Sequence, residues 1–144
     1  MIGIASDHAG FELKEIIRDF MEMSGIPVKD FGTNNTESVD YPVYAQKVCR
    51  AVQTGECEFG ILICGTGIGM SMAANKYKGI RAANCSDTFS ARMSRLHNNA
   101  NIITLGSRVI GQGLAADIVK VFLSTDFEAG RHVNRVKIID EIQQ

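Results

Sequence analysis

Residues 60–71 read Gly60-Ile61-Leu62-Ile63-Cys64-Gly65-Thr66-Gly67-Ile68-Gly69-Met70-Ser71. A short apolar run ends at Cys64, a glycine-rich loop follows, and a helix is predicted from about Met70. If the run is a buried parallel strand, Cys64 lies at its carboxyl end, where open α/β sheets bind ligands. Glycines let backbone N–H groups close around an anion, and a thiol at a helix start is a candidate base or nucleophile. The stretch therefore predicts an α/β enzyme for an anionic small molecule.

Apolar runs of strand length alternate with amphipathic segments along the whole chain. The predicted strands are 2–5, 26–31, 59–63, 80–84 and 101–105, and the predicted helices are 11–23, 41–53, 70–76, 88–96, 111–123 and 133–142. Such alternation forms βαβ units, so we expect a Rossmann-like, doubly wound sheet of five parallel strands with helices on both faces. Because we find no linker or internal repeat, residues 1–144 are predicted to form one α/β domain.

Composition argues against several classes of function. The formal net charge is −1 and 45% of residues are hydrophobic, so no global charge attracts nucleic acid or an anionic membrane. We find no apolar stretch long enough to cross a bilayer and no signal-peptide pattern at the start. The four cysteines lack the paired spacing of a zinc or redox motif. Free thiols favour the cytoplasm, and Cys49, Cys57 and Cys85 are predicted to be small buried packing residues.

Three further polar tracts are expected near the Cys64 loop, because a doubly wound sheet gathers loops along one edge. They are Ser6–Gly10 with Asp7 and His8, Leu96–Asn101 with His97 and Asn98, and Gly130–Arg135 with Arg131 and Arg135. Two arginines four residues apart share one helix face and suit a phosphate. Each tract also has an ordinary structural interpretation, as a helix cap, a complement to a helix dipole and a solvated basic turn.

The glycines of residues 65–69 do not match the common nucleotide motifs. A Walker A sequence needs a Lys-Ser/Thr pair after the glycines, and none follows here. Gly65, Gly67 and Gly69 alternate strictly and follow the third predicted strand rather than the first. An acidic residue in the position expected for a ribose is also missing, so a nicotinamide site is disfavoured.

Several tracts, taken in order, carry a resemblance that spans nearly the whole chain. They are Ser-Asp-His-Ala-Gly at 6–10, Asp-Tyr-Pro at 40–42, the segment 60–76, Gly-Ile-Arg-Ala at 79–82, Ser-Arg-Leu-His-Asn at 94–98, Gly-Ser-Arg-Val at 106–109, and 130–135 with Gly-Arg-His at its start. Together they resemble the ribose-5-phosphate isomerase B family, which also contains galactose-6-phosphate and allose-6-phosphate isomerases.

The resemblance implies an aldose–ketose isomerase that converts ribose 5-phosphate to ribulose 5-phosphate without a metal or organic cofactor. It implies that Cys64 is the general base and that His97, with Asp7 nearby, opens the sugar ring. Thr66 and the amides of residues 65–69 would hold the enediolate oxygen. The implied substrate contacts are Tyr41, Gly65, Gly67, Ile68, Gly69 and Asn98, with His8, Arg108, Arg131 and Arg135 at the phosphate.

The resemblance also implies a homodimer, or a tetramer, whose active sites take some arginines from the neighbouring subunit. The C-terminal helix is expected to pack on that subunit. One subgroup of the family uses a glutamate base at the position of Met70, which cannot take a proton, so this chain fits the cysteine subgroup.

Two alternatives remain open: an isomerase of six-carbon sugar phosphates, and a non-catalytic flavodoxin-like module that senses a sugar phosphate. His132 receives no role.

Overall fold

The computed structural model describes residues 1–142, so the last two residues of the predicted domain lie outside the described residues. The strands are β1 Ile2–Ser6, β2 Val28–Asp30, β3 Phe59–Cys64, β4 Ala82–Asn84 and β5 Ile102–Gly106. The helices are α1 Phe11–Met23, α2 Tyr41–Gln53, α3 Ile68–Ala74, α4 Thr88–Leu96, α5 Gln112–Ser124 and α6 His132–Glu141. All strand pairs are parallel, in the order β2-β1-β3-β5-β4, which confirms the predicted doubly wound sheet.

Three elements differ from their predicted bounds for local reasons. The strands β2 and β4 are shorter than predicted because each lies at an edge of the sheet and pairs on one side only. Helix α3 begins at Ile68, two residues before the predicted Met70, because Gly67 takes a left-handed conformation with φ of 80° and ends the loop there. The first turn of α3 therefore belongs to the glycine-rich segment itself.

The faces covered by the helices follow from the order of the strands. Crossovers between parallel strands are right-handed, so the direction of a step across the sheet decides the face on which its helix packs. The chain steps one way through α1 and α4 and the opposite way through α2 and α3. Accordingly, α1, α4 and α5 contribute to one core cluster, and α2 and α3 to the other. This arrangement puts β5 beside β3, although β4 comes between them in the chain.

The central strand β3 has both of its faces buried. Ile61 and Ile63 point into the core with α1 and α5, whereas Leu62 and Cys64 point into the core with α2 and α3. Burial on both sides explains why β3 is a continuous apolar run rather than an alternating one. It also places the Cys64 side chain on the α2 and α3 side of the sheet.

Helix α6 is the least buried of the helices. Within it only His132 and Val136 are buried, and its exposed residues include Val133, Ile138 and Ile139. Large apolar side chains that stay exposed on one short helix favour an interaction surface. Among residues 1–142, no helix is both long and apolar enough to span a membrane.

Candidate active site

The Cys64 loop and the Ser6–Gly10 tract meet where the strand order reverses. From β1 the chain proceeds to β2 on one side of the sheet, whereas β3 lies on the other side, and ligands bind at such a point, outside the carboxyl ends of the strands. Asp7 and His8 directly follow β1, and Cys64 ends β3. The Asp7 N–H donates to the Ile63 carbonyl at 3.2 Å. This hydrogen bond joins the two strand ends and keeps Asp7 beside the cysteine loop.

The loop after β3 closes on the Cys64 side chain. Cys64 is 5% exposed, and its Sγ accepts a hydrogen bond from the Gly67 N–H at 3.2 Å. An amide donor stabilises a thiolate more than a thiol, because hydrogen bonds to charged groups are the stronger ones. A Cβ on Gly67 would stand 2.3 Å from Asn84 Oδ1, so the position requires glycine for space as well as for its positive φ.

The amides of the loop are not all available to a substrate. The sequence predicted that the N–H groups of residues 65–69 hold an oxyanion. In the structure, the Gly67 N–H donates to Cys64 and the Ile68 N–H donates to Thr66 Oγ1 at 3.2 Å. These two amides already have acceptors within the loop, so the candidate donors to a substrate oxygen are those of Gly65, Thr66 and Gly69, and the oxyanion role of the loop stays a prediction.

The position of β5 beside β3 brings Arg108 to the same loop. Gly106 pairs with Cys64, and the next two amides donate to the loop, from Ser107 to the Cys64 carbonyl at 2.9 Å and from Arg108 to the Gly65 carbonyl at 3.0 Å. A Cβ on Gly65 would stand 3.4 Å from Arg108 Nη1. The exposed Arg108 guanidinium thus lies over the glycine-rich segment, as an anion site requires.

Residues 32–40 bring His8 and Tyr41 to the loop. The Val39 N–H donates to His8 Nδ1 at 3.1 Å, so in the neutral ring Nε2 carries the proton and serves as a donor. Tyr41, the first residue of α2, lies so close to Gly69 that a Cβ there would stand 2.6 Å from the tyrosine Cζ. Asp7 does not cap α1, whose N-cap is Gly10; its Oδ1 accepts the Gly10 N–H at 3.0 Å.

The two remaining tracts, Leu96–Asn101 and Gly130–Arg135, lie at the opposite edge of the sheet. His97 follows α4 and precedes β5, and the Asn101 carbonyl accepts the N–H of Gly60 near the start of β3. The residues of β5 span about 13 Å at roughly 3.3 Å per residue, so His97 lies far from Cys64 of the same chain. The prediction that all these loops share one edge is wrong, because a connection from a helix to a parallel strand lies at the amino edge.

At that amino edge the polar residues form a compact cluster. The imidazole rings of His97 and His132 stack with centroids 4.2 Å apart and planes 15° apart, and His97 Nε2 lies 3.5 Å from Glu128 Oε2. Burial, together with the positive charges of His97, Arg131 and Arg135, lowers the pKa of His132, which favours its neutral form at neutral pH. The sequence left His132 unassigned and did not single out Glu128; the one signal was that His132 directly follows Arg131.

One chain therefore carries two separate groups of predicted site residues. The Cys64 half-site, at the carboxyl edge, consists of Asp7, His8, Tyr41, Cys64, residues 65–69 and Arg108. The His97 half-site, at the amino edge, consists of His97, Asn98, Glu128, Arg131, His132 and Arg135. A cleft of about 530 Å³ also opens at the amino edge, lined by Phe59, Arg95 and Lys120 among others, and it contains none of these residues.

The remaining cysteines differ from Cys64 in their surroundings. Cys49, Cys57 and Cys85 are buried and free, as predicted for packing residues. Burial raises the pKa of Cys49 to about 12 and that of Cys85 to about 11, so neither thiol ionises near neutral pH. Cys64 alone of the four stands at the strand end with the glycine-rich loop folded over its sulfur.

Comparison with known proteins agrees with this arrangement. Residues 2–139 match the family described as Ribose/Galactose Isomerase. The chain is 49% identical to ribose-5-phosphate isomerase B of Escherichia coli, over 99% of this chain and 96% of that protein. It is 44% identical to D-erythrulose-4-phosphate isomerase of Pectobacterium atrosepticum, over 96% and 91% of the two chains. A crystal structure of a ribose 5-phosphate isomerase from Thermotoga maritima matches with a TM-score of 0.97 and 56% identity, over 98% and 97% of the chains. The chain belongs to the Ribose/Galactose Isomerase family.

Proposed function

We propose that the protein is a single-domain aldose–ketose isomerase that interconverts D-ribose 5-phosphate and D-ribulose 5-phosphate. The observation that carries the proposal is the Cys64 thiol at the point where the strand order reverses, held by the Gly67 N–H and faced by Arg108. A base beside an anion site is what proton transfer within a sugar phosphate requires. Family membership and the similarity to ribose-5-phosphate isomerase B support the substrate.

In this mechanism Cys64 moves one proton between two neighbouring carbons. Its thiolate takes the proton from C2 of the open aldose, the C–H electron pair forms the C1–C2 double bond of a cis-enediolate, and the oxygen on C1 takes the negative charge. A proton then passes from the hydroxyl on C2 to the oxygen on C1, which leaves the negative charge on the C2 oxygen. The thiol returns its proton to C1 as that oxygen forms the ketose carbonyl at C2. In the proposal, Thr66 and the amides of Gly65 and Gly69 would stabilise the enediolate oxygen, where one donor is worth roughly 10²- to 10³-fold in rate.

A second copy of the chain completes the site in this proposal. Within one chain the two half-sites lie at opposite edges of the sheet, and a twofold dimer brings unlike patches of its two copies together twice. Exposed apolar residues lie on a helix of each half-site, with Ile68 and Met72 one turn apart on α3, and Ile138 and Ile139 on α6. Such patches favour association, with α6 packing on the partner subunit.

The assembled site has a role for each group. Arg108 and His8 from one subunit, with Arg131 and Arg135 of the partner subunit, would hold the phosphate, since guanidinium groups bind phosphate oxygens in pairs. His97 of the partner subunit would then open the furanose ring above Cys64. This division explains why the chemistry of one substrate is distributed over both edges of the sheet.

The decisive experiment is a turnover assay on a panel of sugar phosphates. Incubation with ribose 5-phosphate should form ketose faster than incubation with allose 6-phosphate or galactose 6-phosphate. D-Erythrulose 4-phosphate belongs in the panel, because a relative at 44% identity is named for that substrate. Since it is itself a ketose, its turnover is measured as loss of ketose. Faster turnover of a four- or six-carbon substrate would change the assignment. Tight binding of ribose 5-phosphate without turnover would overturn the isomerase and favour a sensor module.

A further inference from the structure

We propose that His97, Glu128 and His132 form a binding site for a borderline divalent cation such as Zn²⁺. In this proposal the ion is an inhibitor of the enzyme and not its cofactor. The inhibitory part rests on the proposed function, because it assumes that His97 acts on substrate. The binding part rests on the geometry of the three side chains alone.

The donor atoms are already close together. One ligand atom from each residue can be chosen so that all three lie within 4.8 Å of one another, and the contact between His97 Nε2 and Glu128 Oε2 is 3.5 Å. Two ligand atoms on one tetrahedral Zn²⁺ are about 3.4 Å apart, given metal–ligand distances of about 2.0–2.2 Å. The His132 ring stacks on the His97 ring with its centroid 4.2 Å away, so a small movement of one side chain can bring the three ligand atoms onto one ion.

A backbone hydrogen bond and a tight turn bring these three residues together. His97 ends α4, and the Glu128 N–H donates to the Leu96 carbonyl at 3.1 Å, which places Glu128 beside that end. The consecutive residues Ala129 and Gly130 then take left-handed conformations, with φ of 62° and 55°. This tight turn reverses the chain and brings His132 back over His97.

The donor set selects the class of metal. Two imidazoles and one carboxylate suit Zn²⁺, Ni²⁺ and Cu²⁺ rather than Mg²⁺ or Ca²⁺, which prefer oxygen ligands. The side chains of His97 and Glu128 are 37% and 60% exposed, so an ion can enter from solvent and keep a water as its fourth ligand. Arg131 and Arg135 place positive charge nearby, so we expect micromolar affinity rather than the tighter binding of structural zinc sites.

The binding test is a calorimetric titration of the chelator-treated protein with Zn²⁺, in the absence of substrate. Co²⁺ should give the visible absorption of a tetrahedral site at the same stoichiometry. His132→Ala and Glu128→Gln should each weaken Zn²⁺ binding at least tenfold. Glu128 is exposed, so its variant tests the site even if the loss of the buried His132 disturbs folding.

Two control variants decide whether other donors are responsible. His8→Ala and Cys64→Ala alter the Cys64 half-site and should leave Zn²⁺ binding unchanged. Loss of binding in Cys64→Ala, or undiminished binding in Glu128→Gln and His132→Ala together, would overturn the site.

The inhibition test compares initial rates with and without Zn²⁺. If the ion occupies His97, inhibition should weaken as ribose 5-phosphate is raised, should be reversed by a chelator, and should lessen at least tenfold in Glu128→Gln. Inhibition that is equal in wild type and Glu128→Gln would overturn the inhibitory role. A chain that binds Zn²⁺ but turns over no sugar phosphate would overturn the proposed function and retain the metal site, so the two failures can be told apart.

Discussion

The two half-sites differ in how firmly the rest of the chain holds their groups. The Cys64 half-site consists largely of backbone at strand ends, where a Cβ on Gly106 would stand 2.6 Å from the Thr66 carbonyl oxygen. The His97 half-site consists of side chains at helix ends, and several of them, including Arg131 and Arg135, are exposed. Backbone held by close contacts gives a rigid position for chemistry, whereas exposed side chains can adjust to a charged ligand. In the proposed function, proton transfer between the two carbons falls to the first half-site, ring opening falls to the second, and both contribute to phosphate binding.

The largest effect is expected from removing the thiol. Cys64→Ala should lower kcat by roughly 10³-fold or more, because the proposed mechanism uses Cys64 as its base at C2. Calorimetry should show that ribose 5-phosphate still binds, because the phosphate contacts are intact. Cys49→Ala, which alters a buried thiol on the same side of the sheet, serves as the control and should keep its turnover. Near-normal kcat in Cys64→Ala would show that Cys64 is not the general base.

Mixing two inactive variants tests whether the half-sites belong to different subunits. Cys64→Ala and His97→Ala, unfolded together and refolded, should regain at most about one quarter of the wild-type activity, because half of the dimers are hybrids and each has one intact site. The same treatment of each variant alone is the control and should restore nothing. If the mixture stays inactive while hybrid dimers form, the two residues do not act in one shared site.

A smaller effect is expected from the phosphate contacts. Arg135→Ala should raise KM by about 30-fold with little change in kcat, because a hydrogen bond to a charged group is worth about 1.5–3 kcal/mol and is present in substrate and transition state alike. Arg92→Ala removes an exposed arginine of α4 outside both half-sites and is the matched control. An unchanged KM in Arg135→Ala would show that Arg135 does not bind the phosphate.

The smallest effect on turnover is expected at Asp30, which supports the Cys64 half-site from outside. Asp30 Oδ1 accepts the Gly32 N–H at 2.8 Å, at the start of the segment that carries Val39 and Tyr41. Its Oδ2 lies 2.6 Å from Nζ of Lys14, whose side chain is fully buried. Asp30→Asn should lower the free energy of unfolding by about 3 kcal/mol, because it leaves a buried cation less well paired. Turnover of the folded variant should change less than twofold.

The pH dependence of that stability loss follows from the carboxyl group. Burial raises the pKa of Asp30, but the hydrogen bonds from Lys14 and the Gly32 N–H outweigh it and hold the pKa below its ordinary value. A depressed pKa stabilises the fold above the pKa of the unfolded chain, and this contribution is lost as the pH falls through the folded value. Denaturant unfolding should show a constant gap between wild type and Asp30→Asn from pH 7 to 5 that narrows below about pH 4. A gap that widens in acid would contradict this role.

Much of the fold could be predicted because local patterns decide it. The continuous apolar run of β3 and the helical spacing of Leu13, Ile17 and Phe20 in α1 identify these elements without any knowledge of their partners. The ends of edge strands and the start of α3 could not be predicted as well, since they depend on pairing and on the conformation of Gly67.

The candidate site could be predicted only in part. Asp7, His8 and Cys64 follow strands, and the carboxyl ends of parallel strands share an edge, so their proximity follows from the sequence. His97 and Arg131 do not follow strands, and their separation from Cys64 becomes visible only when α4 and α5 are traced back to the amino edge. The stack of His97 on His132 depends on the turn at Ala129. A positive φ at this non-glycine residue is not predicted by any sequence pattern.

The sequence by itself determined the α/β class, the thiol at a strand end and the glycine-rich loop, because hydrophobic spacing and glycine freedom act locally along the chain. Only the tertiary structure decided that β5 lies between β3 and β4, and hence that Arg108 reaches the Cys64 loop while His97 does not. The physical reason is that strand order arises from right-handed crossovers and from packing between residues distant in the chain, and no local pattern encodes it.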